Sequence, residues 1–189
     1  MAERTRTKER DGEAAAPDAR LYEPKYFEHV VDELKRSMTG RIVIHGRERL
    51  WDVHKQAKTK RYLSPHEPEL RDTALQEWEV FLQLIPERSG KHRHQGGLVI
   101  FVLEGSGHTI VEGERYDWEE GDLMLLPVRP GGVEHQHFNH DPKQPAKWIA
   151  FVYWPFFNAG GSETTQIETS PIYDSWMADL DKKQRAFDA

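Results

Sequence analysis

The feature that most constrains this chain is a doubled histidine pair: His92 and His94 in Gly90-Lys91-His92-Arg93-His94, and His135 and His137 in His135-Gln136-His137-Phe138-Asn139. Side chains two residues apart on a β-strand point to the same side of the sheet, so each pair can aim two imidazoles into one cavity. The stretch between the pairs reads as short strands and Gly-rich turns, material for a small antiparallel barrel that folds one pair against the other. Three or four imidazoles converging there would make a site for a divalent transition metal. Burying them without a metal would leave several ring nitrogens in need of partners.

Composition narrows the chemistry further. The chain has no cysteine, which excludes a disulfide framework, a thiolate metal site and a cysteine nucleophile, so a metal must be held by nitrogen and oxygen. That absence fits a cytoplasmic protein. Lys and Arg number 26 against 32 Asp and Glu, a formal net charge of -6 with no dense basic cluster, which argues against a nucleic-acid or anionic-membrane partner. Met1 to Arg20 lacks the apolar core of a signal peptide, and no later apolar run approaches the roughly 20 residues that span a bilayer. With 189 residues the expectation is a soluble, single-core domain carrying extensions.

Residues 1–20 mix charges with Ala, Gly and Pro and hold almost nothing large and apolar, which reads as a disordered tail. Segment 21–76 reads as a helical and extended N-terminal extension. Within it Phe27, Val30, Val31, Leu34 and Met38 recur at helical spacing, predicting a helix over 26–38 that stops at Thr39-Gly40. A short β-like run follows at 41–45, and the basic stretch from Lys55 to Arg61 reads as a solvated face. Segment 77–158 carries the barrel, with strands predicted at 78–86, 98–104, 107–111, 122–126, 133–139 and 147–154. Segment 159–189 reads as a loop and a C-terminal helix over about 171–187. Trp78, Trp148, Trp154, Phe81, Phe101, Phe138 and Phe151 read as core, with an aromatic wall for a planar substrate as the alternative. His29, His45, His54, His66, His108 and His140 read as ordinary surface residues.

Two motifs then match a known pattern. His92-x-His94 with the run to Gly105 in Val102-Leu103-Glu104-Gly105 resembles the first motif of the cupin superfamily. Gly121-Asp122, Pro127, Gly131 or Gly132, His135 and Asn139 resemble the second. The turns joining them, Gly113-Glu114-Arg115 through Glu119-Glu120-Gly121-Asp122, agree in order, and the resemblance covers about 77–154. It implies an all-β jelly roll with flanking N- and C-terminal helices. Many cupins carry a glutamate ligand four residues after the second histidine of the first motif, where this chain has Leu98. The cupins without it that this chain resembles are the three-histidine Fe(II) dioxygenases of the gentisate and diketone types. Carried over, the resemblance implies His92, His94 and His135 as ligands and His137 as a substrate-contacting residue. Seven residues separate Pro127 from His135, a longer spacing than usual, so the choice between His135 and His137 stays open.

The function so implied is dioxygenation of a small oxygenated anionic compound, aromatic ones included, at Fe(II), with Ni, Mn, Zn and Cu as alternative metals. Losing a carboxylate ligand leaves more positive charge on the metal for an anionic bidentate substrate, and open positions for that substrate and dioxygen. Gln83 and Arg129 are candidates to orient a substrate oxygen or carboxylate. Two rivals use the same fold: a lyase, decarboxylase or isomerase with the metal as Lewis acid, and a non-catalytic small-molecule-binding cupin. A homodimer is expected, since cyclic dimers are the commonest soluble oligomers.

Overall fold

The computed structural model describes residues 23–161 and 164–187; the tail expected over 1–20 lies outside them. The chain divides after Lys35, and the unit Arg36–Ala189 holds every strand described below. The first helix, α1, spans Glu23–Thr39. It ends where the sequence predicts: Gly40 donates its N–H to the Arg36 carbonyl at 2.7 Å, and a Cβ at Gly40 would stand 2.8 Å from the Ala74 backbone.

The strands in order are β1 Asp52–Val53, β2 Lys58–Leu63, β3 Trp78–Ile85, β4 His92–His94, β5 Leu98–Glu104, β6 Ser106–Val111, β7 Glu114–Glu119, β8 Leu123–Leu126, β9 Val133–Asn139, β10 Ala146–Tyr153 and β11 Thr165–Gln166. One sheet runs β1-β2-β3-β10-β5-β8, the other β11-β4-β9-β6-β7. Every ladder is antiparallel. From β3 to β10 the strands fall into two interleaved sets of four, β3-β10-β5-β8 and β4-β9-β6-β7, which is jelly-roll connectivity. The two sheets give the expected jelly roll, and no ladder among the described residues joins one sheet to the other.

Period-two patterning explains the packing. On β5, Leu98, Ile100 and Val102 are buried while Val99, Phe101 and Leu103 face outward, and on β10 Ala146, Trp148, Ala150 and Val152 are buried. These meet Ile85, Val111, Leu126 and Val133 between the sheets. Each fully buried aliphatic side chain there contributes about 1.5–3 kcal/mol. The β6–β7 hairpin is closed by Glu112 (φ 50°) and Gly113 (φ 87°), a two-residue turn with both positions left-handed, the geometry that suits strand twist.

Several expectations shift. The β-like run at 41–45 makes only an isolated bridge from Arg41 to Thr73, and a single 3-10 turn follows at Gly46–Glu48. The basic stretch is not merely a solvated face: its second half is β2, paired to β3 with Thr59 opposite Gln83 and Arg61 opposite Phe81. The larger sheet therefore draws in residues from the N-terminal extension. A strand at Glu114–Glu119 was not anticipated, because only Trp118 of its six residues is buried. Trp154 begins a short helix, α2 (Trp154–Ala159), instead of ending β10. The C-terminal helix α3 spans Pro171–Phe187, as expected. No helix among the described residues is long and apolar enough to cross a membrane.

Candidate metal centre

β4 and β9 are neighbours, with His92 opposite His135 and His94 opposite Val133. This register turns the rings of His92, His94 and His135 toward one another, with centroids 4.2–5.1 Å apart. One ligand nitrogen from each lies within 4.8 Å of the others. All three are buried, at 4%, 7% and 2% exposure. The close approach of the loop to β4 depends on Gly132 (φ +81°), where a Cβ would sit 2.9 Å from the His94 carbonyl.

The backbone sets the protonation pattern of the three rings. His92 Nδ1 is 2.8 Å from the Gly90 carbonyl, His94 Nδ1 2.6 Å from the Gln95 carbonyl, and His135 Nδ1 3.0 Å from the Val133 carbonyl. A carbonyl only accepts, so each Nδ1 carries the hydrogen and each Nε2 keeps its lone pair. Burial pushes the His92 imidazole down to about 4, and also lowers His94 and, strongly, His135, which in addition feels His92 and His137. Three neutral imidazoles presenting Nε2 lone pairs, with no carboxylate beside them, form a donor set suited to a divalent transition metal.

His137 is buried deeper and stands outside this group. Its Nδ1 is 2.8 Å from the Thr109 hydroxyl, which accepts the indole N–H of Trp118 at 3.0 Å. Its ring packs edge-on against Trp148 with centroids 5.0 Å apart, and burial holds its pKa near 3. Gln83 is 2% exposed, and its Nε2 has no hydrogen-bond partner; the indole nitrogen of Trp148, on the residue opposite it in the β3–β10 ladder, has none either. Arg129 is exposed and is not brought to the histidines. It lines a separate cleft of about 460 Å³ with Tyr116, Trp118 and Leu123, and its backbone is held by the Gln95 amide.

Beside His94 opens a cavity of about 130 Å³. Leu98, in the slot where many cupins carry a glutamate, lines it, together with Phe81 and the stacked pair Trp154 and Phe157. Its polar side is His54, Thr59, Arg61 and Glu79. Sequence reasoning missed these four. The only signal was the alternation inside 58–63, masked by its charges, and it becomes readable once Thr59 and Arg61 are seen opposite Gln83 and Phe81.

A second group, His108, Asp117 and His140, also brings ligand-type atoms together, at the surface. There Arg115 already supplies the cation, its Nε and guanidinium nitrogen reaching Asp117 at 3.1 and 2.6 Å.

Residues 81–152 match the Cupin domain model, so this segment is a cupin domain, and it resembles those of gentisate-type dioxygenases. A gentisate 1,2-dioxygenase from Ralstonia sp. is 36% identical over 74 residues, 38% of this chain and 20% of that protein. One from Haloferax sp. is 32% identical over 77 residues, 41% of this chain and 20% of that protein. The matched segment thus spans a fifth of the length of these relatives. Among solved structures, the polyketide cyclase RemF from Streptomyces resistomycificus superposes with a TM-score of 0.51 at 13% identity, over 73% of this chain and 93% of that one, a likeness of fold.

Proposed function

We propose that this protein is a metal-dependent dioxygenase, with Fe(II) held by His92, His94 and His135 and with a small anionic phenolic compound as substrate. The observation that carries the reading is the three-imidazole cluster with fixed Nε2 lone pairs and an apolar Leu98 where a fourth ligand would stand. Its similarity to gentisate dioxygenases over 74 residues supports the same reading. Bound there, iron supplies the one-electron chemistry that dioxygen requires. The protein's own residues bind, orient and exclude water. A cavity of about 130 Å³ is close to the roughly 150 Å³ that holds a benzene ring, which favours a single-ring substrate. Phe81, Trp154 and Phe157 give that ring an apolar wall. Gln83, two residues along β3 from the cavity-lining Phe81 and with an unspent buried donor, is assigned to a substrate oxygen.

Val99 and Phe101 on β5, paired respectively to Leu125 and Leu123 on β8, leave an apolar patch on the outer face of the larger sheet. We assign it to a homodimer contact.

The test is oxygen uptake by Fe(II)-loaded protein across salicylate, gentisate, catechol and diketone substrates. Uptake with ring-opened product supports the proposal. Turnover of such a compound with no oxygen consumed would replace it with Lewis-acid chemistry.

A further inference from the structure

The cavity beside His94 contains a carboxylate that the proposed function leaves unused. Glu79 lies on β3 and lines that cavity with Phe81 and Trp154. Placing a carboxylate against an aromatic wall is costly unless it is paired, and Arg61 Nε pairs with it at 3.3 Å through Oε1 alone. That pairing does not account for Glu79 by itself. Arg61 also reaches Asp52 at 3.2 Å and Glu67 at 4.0 Å, so the cation has other partners, and among the described residues its hydrogen bond to Glu79 is made through Oε1.

Resting on the dioxygenase reading of the same site, we propose that Glu79 is the proton acceptor for the phenolic hydroxyl of the substrate. On binding, the substrate O–H bond breaks, the proton passes to Glu79 Oε2, and the phenolate is left facing the histidine cluster. No electrons change hands in this step, and the proton stays inside the complex. The charged and titratable groups facing Glu79 are Arg61 on β2, His66 and Glu67 in the loop after it, and His54 and His94 across the cavity. Burial raises the carboxyl above its ordinary range, Arg61 and His66 oppose that, and Glu67 adds to it, with burial the largest effect. A carboxylate poised upward in this way is a better base than an exposed one. His54 is kept neutral, its pKa pushed down to about 4 mainly by burial. It receives the Gln56 backbone N–H on Nδ1 at 3.4 Å and so presents Nε2–H to the Thr59 hydroxyl at 3.1 Å, which leaves no lone pair on His54 to compete for the proton.

The experiment uses the full chain loaded with Zn²⁺, which has no redox chemistry and so does not consume the ligand, and salicylate as the probe. Proton release on binding is counted by calorimetry in buffers of different ionisation enthalpy, and affinity is followed against pH. Wild type should release no proton and bind with nearly constant affinity. Glu79→Gln, which keeps an oxygen for Arg61, should release one proton, and its affinity should fall about tenfold for each unit of decreasing pH. The wild-type proton count is decisive even if the variant folds poorly, since release of a full proton by wild type overturns the proposal. Equal counts in both proteins overturn it as well. Salicylate bound by wild type with no proton release, but with no oxygen uptake by the Fe(II) form on any phenolic acid, would contradict the dioxygenase reading while supporting Glu79. Failure of wild type to bind salicylate at all would overturn both.

Discussion

Acidifying the metal-free protein should destabilise it well above the range where ordinary carboxylates titrate. The buried His92 and His137 have folded-state pKa values of about 4 and about 3, against roughly 6.5 in an unfolded chain. A depressed histidine pKa means that the unfolded state takes up protons the folded state refuses. The stability is therefore intact above the unfolded value and is lost as pH falls toward the folded one. At about pH 5 each ring is still neutral in the fold, so the penalty is about 1.5 pH units at 1.36 kcal/mol per unit, or ~2 kcal/mol each. His54, also held near 4, adds a like amount. The sum, ~6 kcal/mol, is an upper bound because neighbouring buried rings titrate together, but it is a large share of a typical ~5–15 kcal/mol. The raised Glu79 works in the opposite direction, and the lowered Asp117 and Glu134 lose their contribution only at lower pH. Urea unfolding of chelator-treated protein, followed by circular dichroism at constant ionic strength, gives the quantity directly. A fall of at least ~3 kcal/mol between about pH 7.5 and about pH 5 is expected. Stability constant to within ~1 kcal/mol over that interval would refute the picture of neutral, desolvated imidazoles. Metal-loaded protein should hold its stability to lower pH, because ligand binding to the folded state alone adds to it.

Three further outcomes follow from particular side chains. Leu98→Glu should keep or tighten metal binding while lowering oxygen-dependent turnover by roughly ten- to a hundredfold, since a carboxylate would fill an open position; wild-type turnover in a metal-loaded variant would show that the leucine is incidental. Gln83→Leu should raise metal-free stability by about 1–3 kcal/mol by removing an unsatisfied buried donor, yet weaken salicylate binding to the Zn²⁺ form, and a destabilised variant with unchanged binding would contradict its assignment. Leu125→Lys, at a position 65% exposed, should convert a dimer to monomer in sedimentation, whereas a monomeric wild type would remove the proposed contact.

The parts of this fold that were legible in the sequence are those governed by short-range physics. A short apolar run from Leu98 to Leu103 closed by Glu104-Gly105, and the His-x-His segment from Val133 to Asn139, marked β5 and β9 to the residue, because both are bounded by tight turns. Period-two spacing set His92 beside His94 and His135 beside His137, while the choice of His92, His94 and His135 as one cluster came from the cupin resemblance. Less could be read where tertiary pairing overrides composition. Lys58-Thr59-Lys60-Arg61 looks like a solvated charge run, and it becomes a strand only because β3 offers a partner and Asp52, Glu67 and Glu79 neutralise Arg61. Glu114 to Glu119 is hidden for a related reason, being an edge strand whose side chains mostly face water. The same limit applies to Arg129, whose nearness to the second motif in sequence says nothing of the direction in which a loop carries it.

The measurement that tests the central claim most directly is metal content by elemental analysis, on protein purified without a chelating tag and reconstituted with Fe(II) under anaerobic conditions. Wild type should hold about one metal ion per chain. His92→Ala and His135→Ala should hold almost none while keeping the circular dichroism of the folded sandwich, and His137→Ala should retain it. Full metal in both the His92 and His135 variants, or loss confined to the His137 variant, would contradict the three-histidine centre.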